Sequence, residues 1–450
     1  MAWWEEFRPE FRPLLRLAVP IVAGELGWMT MSLVDTMMVG RLSTAALGGV
    51  SVAGILFYSV ATFGIGVMFG LDPLVAQAFG AGNLRDCHKS LLNALWLALP
   101  LAPVLMLLSW AWEPIMGWAE VNPAVLAEAK PYLRALTWSL PPLLIYAALR
   151  RYLQAMSLVR PVMFAMVSAN VVNAFVNWIL IFGKLGFPAM GAEGAGWATT
   201  ISRVYMAGML AFAVWSHDRT TGSSLFDMPL APDYERIRSL FALGLPAALQ
   251  IVLEVSIFAL TTTLISKLEP TWLAAHQVAL SAASYSFMVP LGLGSAAAVR
   301  VGQRIGAQDL AGAARAGWAA IALGVAFMGC AGIFFLAAPS LIARAFTTDP
   351  AVIRASAVML ALAALFQLFD GAQGVATGAL RGAGNTRVTA IAHGIGYWVL
   401  GLPLGYALCF WAGWGAPGYW AGLSFALIVI GIALATVWHR MTRGWLMEAR

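Results

Sequence analysis

The chain has 450 residues, 61% of them hydrophobic and only 11% charged, where soluble domains carry roughly a quarter charged residues. That composition excludes an ordinary water-soluble fold and calls for a lipid bilayer around the chain. The net charge of +6 does not build a nucleic-acid face, because the basic residues are scattered over short polar breaks without interleaved aromatics; no nucleic-acid partner is expected.

At about 20 apolar residues per crossing, twelve hydrophobic runs are predicted, centred near Met29, Ser59, Pro100, Pro142, Val172, Tyr205, Leu253, Phe287, Val325, Leu365, Val399 and Phe425. The residues up to Arg16 lead into a run too long for the apolar part of a signal peptide and without a small-residue cleavage site, so this run is expected to be the first span. It carries Glu25 and Asp35. The fifth run carries Asn170, Asn173 and Asn177 at i, i+3 and i+7, one polar stripe on an otherwise apolar helix. Arg203 falls inside the sixth. A polar stretch over 216–238 follows, read as a cytoplasmic linker, and divides the chain into lobes 1–222 and 223–450. Glu254 lies in the seventh run, His276 and Gln277 in the eighth, Asp370 in the tenth, and His393 with Tyr397 on one face of the eleventh.

The breaks between runs set the topology. One side collects nineteen Lys and Arg, among them Arg8, Arg85, Arg150, Arg151, Arg236, Arg300, Arg387 and Arg450, against seven on the other. The positive-inside rule puts both termini in the cytoplasm, in a bacterial-type inner membrane. Trp110, Trp112 and Trp118 flank one predicted outer loop and Trp411 and Trp414 another, as interfacial tryptophans do. Cys87, Cys330 and Cys409 are too scattered for a metal motif and too few for a disulfide framework.

The chain also matches itself. At an offset of 226, Leu17 and Pro20 fall on Leu243 and Pro246, Leu47 on Leu273, Gly66 on Gly292, and VAQAFGA from Val75 on VGQRIGA from Val301; an offset of 227 brings Arg160 onto Arg387. Six spans followed by six more give a parallel repeat, because an even number of crossings returns the chain to its starting side. The expected fold is an all-α integral membrane protein of twelve transmembrane helices in two six-helix lobes.

Asp35, Glu254 and Asp370 point to function. An ionised acid at mid-span costs roughly 2.5–3.5 kcal/mol, so three approach ~8–10 kcal/mol. Pairing with deep cations is the plain structural account, but few cations lie in the runs, Arg203 being the main candidate. Otherwise each acid binds a proton or a metal ion, or faces a hydrated cavity, and all three describe a coupling site. Amides beside Asp35 suit a hard-oxygen cage for Na⁺ or a hydrogen-bonded proton; the same amides serve equally well as interhelical hydrogen bonds. Asn170, His276, Gln277, His393 and Tyr397 are candidate cavity residues, with helix bridging as their alternative role.

Around these acids the segments PIVAGELGWMTMSLVDTMMVGRL, LEVSIFAL with AAHQVALSAASYSFMVPLGLGSAAAVRVGQRIG, and LFQLFDGAQGVATGALRGAGNTR resemble the multidrug and toxic compound extrusion (MATE) family, NorM-like branch. The resemblance spans nearly the whole chain. It implies a V-shaped pair of six-helix lobes and antiport of Na⁺ or H⁺ against organic cations and amphipathic drugs, with no cofactor and with the chain acting as a monomer. It also implies that Asp35, Asn173, Asn177 and Thr199 form an ion-coupling site in the first lobe, and Glu254 and Asp370 an ion or substrate site in the second. Na⁺ is a candidate ion at either. Phe366 stands where related proteins often carry a tyrosine, Asn385 replaces the Asp of the LRGAGDT motif, and Glu25 occupies a position expected to be uncharged. A lipid-linked oligosaccharide flippase of the same superfamily is the nearest alternative, though it should carry more cations than this chain offers. An integral-membrane enzyme is disfavoured by the lack of HExxH and GxSxG motifs.

Overall fold

The structure is a computed structural model that describes residues 2–118, 122–222, 225 and 228–448. Arg450 of the basic count, and Ser223, Ser224, Phe226 and Asp227 of the predicted linker, lie outside the described residues. Among those described there are helices and no strands. In chain order they are α1 (Ala2–Val39), α2 (Thr44–Met68), α3 (Leu71–Gly80), α4 (Leu84–Trp110), α5 (Trp112–Trp118), α6 (Pro123–Thr137), α7 (Leu140–Ala155), α8 (Val159–Phe182) and α9 (Gly191–Thr221). Then come α10 (Tyr234–Ile265), α11 (Pro270–Gly306), α12 (Leu310–Ala337), α13 (Pro339–Arg344), α14 (Pro350–Gly382), α15 (Thr386–His393), α16 (Leu402–Tyr406) and α17 (Ala416–Glu448), with π-helical turns at Gly394–Gly401 and Ala407–Trp411 on either side of α16.

All twelve predicted run centres fall on helical residues. Among the described residues, ten helical stretches are long and apolar enough to cross a membrane. The two runs outside those ten lie near Pro142 and Tyr205; Arg203 falls inside the second, and the helix of the first continues into Arg150 and Arg151. The fourth run is also interrupted, α6 ending at Thr137 and α7 restarting at Leu140 just before Pro141 and Pro142, where a proline at the first turn of a helix is tolerated.

The repeat is visible in local geometry. Asn83 caps α4 by accepting from the Asp86 N–H at 3.1 Å, and Asp309, 226 residues later, caps α12 by accepting from the Gly312 N–H at 2.7 Å. The residues just before these caps are Gly82 at φ 74° and Gln308 at φ 59°. Both halves therefore need a left-handed residue to turn into a capped helix, and only the first half uses the residue to which that conformation costs nothing.

The chain forms two compact units: Ala23–Ala248, and Met1–Val22 together with Leu249–Arg450. This partition differs from a cut at 222/223. The first part of α1 packs with the C-terminal residues, and the first part of α10 packs with the N-terminal ones. The two switch points, 22/23 and 248/249, are 226 residues apart, the offset of the repeat.

Ion pairs hold both exchanged segments. Glu10, 2% exposed, accepts from Arg300 Nε at 2.9 Å and from Arg304 Nη2, while Arg304 Nη1 reaches Asp309 at 2.8 Å, tying α1 to the end of α11. Arg236 of α10 pairs with Asp86 of α4, and Asp233 pairs with Lys89, whose ammonium holds the Asp233 carboxyl below the usual range. The Asp233 N–H also donates to Asn93 Oδ1 at 2.7 Å, and the Trp96 indole to the Leu230 carbonyl at 2.7 Å. The predicted linker over 216–238 is thus structured at both ends: 216–221 complete α9, and 230–238 are anchored to α4 and open α10.

Within the second unit, α11 and α14 approach at glycines. A Cβ on Gly378 would sit 1.9 Å from the Gly294 carbonyl oxygen, so only glycine permits this contact. Small residues at such crossings let helices gain dispersion and backbone contact where lipid offers no hydrophobic drive.

Candidate ion-coupling sites

In the Ala23–Ala248 unit, α1 delivers Asp35 to the Asn173–Asn177 pair of α8 and to Thr199 of α9. All four are buried, Asp35 at 8% exposure and the amides at 0%. Asn177 Nδ2 donates to Asp35 Oδ1, and at 3.0 Å to Asn173 Oδ1; Thr199 Oγ1 donates to Asp35 Oδ2 at 3.1 Å. Spacing explains the pair, because residues four apart on a helix share a face. Two buried amide atoms, Asn177 Oδ1 and Asn173 Nδ2, have no hydrogen-bond partner, although burying such a group unpaired costs about 1–3 kcal/mol. An unpartnered amide oxygen beside a carboxylate and a hydroxyl is a hard-oxygen donor set of the kind that a small cation or a proton network completes.

Asn170 does not join this group. Its Nδ2 donates to the carbonyls of Gly27 at 3.1 Å and Met166 at 2.9 Å, so it bridges α8 to the backbone of α1.

Arg203, one turn beyond Thr199 on α9, is 1% exposed. Its Nη1 donates to Ser139 Oγ, and its guanidinium carbon lies 5.0 Å from the Phe57 ring centroid, 5.6 Å from Trp28 and 5.9 Å from Tyr58. No described carboxylate is within ion-pair distance of it, so it is not the fixed partner that pairing of the acids would require.

Glu25 does have a fixed partner: it accepts from Arg150 Nη2, both side chains being buried. Arg151 lies 3.6 Å from Asp72 and 3.9 Å from the Phe69 ring centroid. Arg150 and Arg151, expected in a loop of a chain with few deep cations, are instead buried on α7. α7 extends as a helix past the apolar run, and hydropathy alone does not register such an extension.

In the other unit, Glu254 of α10 and Asp370 of α14 come together around one amide. Gln373 Nε2 donates to Asp370 Oδ1 at 3.0 Å and to Glu254 Oε1 at 3.3 Å. Glu254 also accepts from Gln250 Nε2 at 2.8 Å and from the Tyr397 hydroxyl at 3.5 Å. His393 Nε2 is 2.9 Å from Gln373 Oε1 and 3.8 Å from Glu254 Oε2, while Nδ1 faces the Thr389 carbonyl at 2.7 Å. Tyr397 stands in the π-helical turn, a widening often found at functional positions. His393 and Tyr397 thus belong to this cluster.

His276 does not. It is bound by Thr262 at 2.8 Å and by the Trp420 indole at 2.9 Å, which is helix bridging, and Gln277 is exposed. Phe366 stacks on Trp420 at 5.9 Å. Sequence reasoning missed Gln250 and Gln373, whose signal was their spacing of four before Glu254 and three after Asp370.

The MatE family profile matches residues 20–179 and 246–407, two stretches that start 226 residues apart. The chain belongs to the MatE family. It is 38% identical to a "Probable multidrug resistance protein NorM" of Mesorhizobium japonicum, covering 97% of this chain and 95% of that one. It is 33% identical to a "Multidrug resistance protein NorM" of Vibrio cholerae, with 98% and 97% covered, and 35% identical to the "Multidrug resistance protein PmpM" of Pseudomonas aeruginosa, with 98% and 94% covered. The crystal structure of the eukaryotic MATE transporter AtDTX14 superposes with a TM-score of 0.88 at 23% identity, covering 99% of this chain and all of the other. This MatE chain is a multi-pass, all-helical membrane transporter, not an enzyme.

Proposed function

We propose that the protein is a secondary active multidrug efflux transporter that antiports cationic and amphipathic organic compounds against Na⁺ or H⁺ by alternating access. It does so as a monomer in the bacterial inner membrane, with both termini in the cytoplasm. The names of its relatives, multidrug resistance proteins, support efflux of drugs, and the excess of basic residues on one side of the spans supports the orientation. One observation supports coupling above the others: Asp35 is a buried carboxylate held by neutral donors beside an unpartnered amide oxygen. Such a group is stable only when hydrogen-bonded, protonated or bound to a cation, so an ion arriving or leaving changes the energy of the whole unit.

In this reading Asp35, Asn173, Asn177 and Thr199 take the coupling ion. Glu254 and Asp370 supply negative charge for an ion or a cationic drug, and Gln373 and Gln250 orient them. The two halves of the sequence, 1–222 and 223–450, are the duplicated lobes. The deciding experiment is drug efflux from proteoliposomes with Na⁺ and proton gradients imposed separately. Export driven by at least one gradient is expected, and export indifferent to both would overturn the reading.

A further inference from the structure

Arg203 is a full positive charge buried in an apolar unit. A buried cation is ordinarily matched by a carboxylate, yet this one is held by three aromatic faces and a serine hydroxyl. Its position is fixed relative to Asp35 by two helices at once. Arg203 is one turn from Thr199, which donates to Asp35, and it lies over Trp28, two turns before Asp35 on α1.

We infer that Arg203 is a positioning residue that limits how tightly Asp35 holds its coupling cation, so that the ion can leave and the cycle can turn over. This rests on the reading of Asp35 as the coupling carboxylate. With the site empty, the Asp35 and Arg203 charges balance within the unit. With a proton or Na⁺ on Asp35, the Arg203 charge is left uncompensated. The aromatic cage and Ser139 keep the guanidinium from collapsing onto the carboxylate and occupying the ion's place. The remaining groups around the two charges are Tyr58 of α2 and Tyr132 of α6, with Ser139 ahead of α7 and the neutral amides of α8, so no second carboxylate in this group opposes the effect. At an effective dielectric near 20, a like charge near the carboxylate but not touching it weakens its hold on a cation by about tenfold to a hundredfold.

The test uses the full-length protein in proteoliposomes and reads the proton or Na⁺ concentration that gives half-maximal drug efflux. Arg203→Gln is expected to lower that concentration about tenfold to a hundredfold, moving the midpoint to higher pH if the ion is a proton, and to slow turnover. Arg203→Lys, which keeps the charge, is expected to retain the wild-type midpoint. An unmoved midpoint in Arg203→Gln, or an equal shift in Arg203→Lys, overturns the inference. Should Arg203→Gln protein fail to accumulate, Ser139→Ala replaces it: freeing the guanidinium to approach Asp35 should weaken the ion's hold severalfold, and an unchanged or tighter midpoint overturns the inference. Asp35→Asn separates the two ideas. Efflux still driven by the gradient in that variant sinks the Asp35 reading and this inference with it, whereas lost drive there with an unmoved Arg203→Gln midpoint sinks only the inference.

Discussion

Removing Arg150 should be among the most damaging single changes in the Ala23–Ala248 unit. Its guanidinium and the Glu25 carboxylate are 9% and 11% exposed as side chains, so neither regains much water when the other is lost. Breaking a buried pair typically costs about 3–5 kcal/mol, because one charge stays buried without compensation, whereas replacing both members with neutral groups of similar volume is often neutral or stabilising by roughly 1–4 kcal/mol. Arg150→Met should therefore destabilise strongly, and Glu25→Gln on its own should do so as well. The double variant should recover most of the wild-type stability. Unfolding of purified protein in mixed micelles, read as a double-mutant cycle, measures the coupling directly. Coupling below about 0.5 kcal/mol, the usual margin for independent sites, would refute the reasoning. Transport should follow stability, since the pair fixes to α7 the stretch of α1 that leads to Asp35.

Asp35→Asn should leave the fold intact, because the lost charge-assisted bonds, about 1.5–3 kcal/mol each, are offset by no longer burying a carboxylate, and it should abolish gradient-driven efflux; coupled efflux in well-expressed variant protein would contradict this. Glu254→Gln and Asp370→Asn should each weaken binding of a cationic drug about tenfold or more, roughly 1.4 kcal/mol, and flatten its pH dependence while sparing a neutral drug. Equal losses for both drugs in a binding titration would reduce these acids to structural roles. Gly378→Leu should lower the yield of folded protein sharply, since even its Cβ would lie 1.9 Å from the Gly294 oxygen. A monodisperse, wild-type-like elution profile in detergent would count against the close crossing of α11 and α14.

Much of the helical organisation was legible because its causes are local. Apolar runs give spans, and the match of the chain to itself at an offset of 226 gives the repeat. Acids in apolar runs are costly enough to attract notice, so Asp35, Glu254 and Asp370 were visible one by one. What joins them was less visible. Gln373 serves two carboxylates on two different helices, and nothing in a single helix reveals a shared amide. Arg150 and Arg151 looked like loop residues because hydropathy counts them against the membrane, while a buried carboxylate on another helix, which makes such burial tolerable, is a tertiary fact. His276 and His393 are alike in sequence, each a lone histidine in an apolar run, and only tertiary contact separates the bridge to Trp420 from the member of the Glu254 cluster.

The exchange of helix segments between the compact units bears on how the protein is made. The stretch that ends at Val22 leaves the ribosome well before the residues it packs with, which begin at Leu249, so it must wait in the membrane until much of the second half has been translated. Glu10, destined for burial against Arg300 and Arg304, spends that interval without them. A chain cut within 223–227 and expressed as two fragments would give each fragment a helical segment that belongs to the other's unit. Neither fragment should fold to completion alone, and the two should rescue each other when made in the same cell.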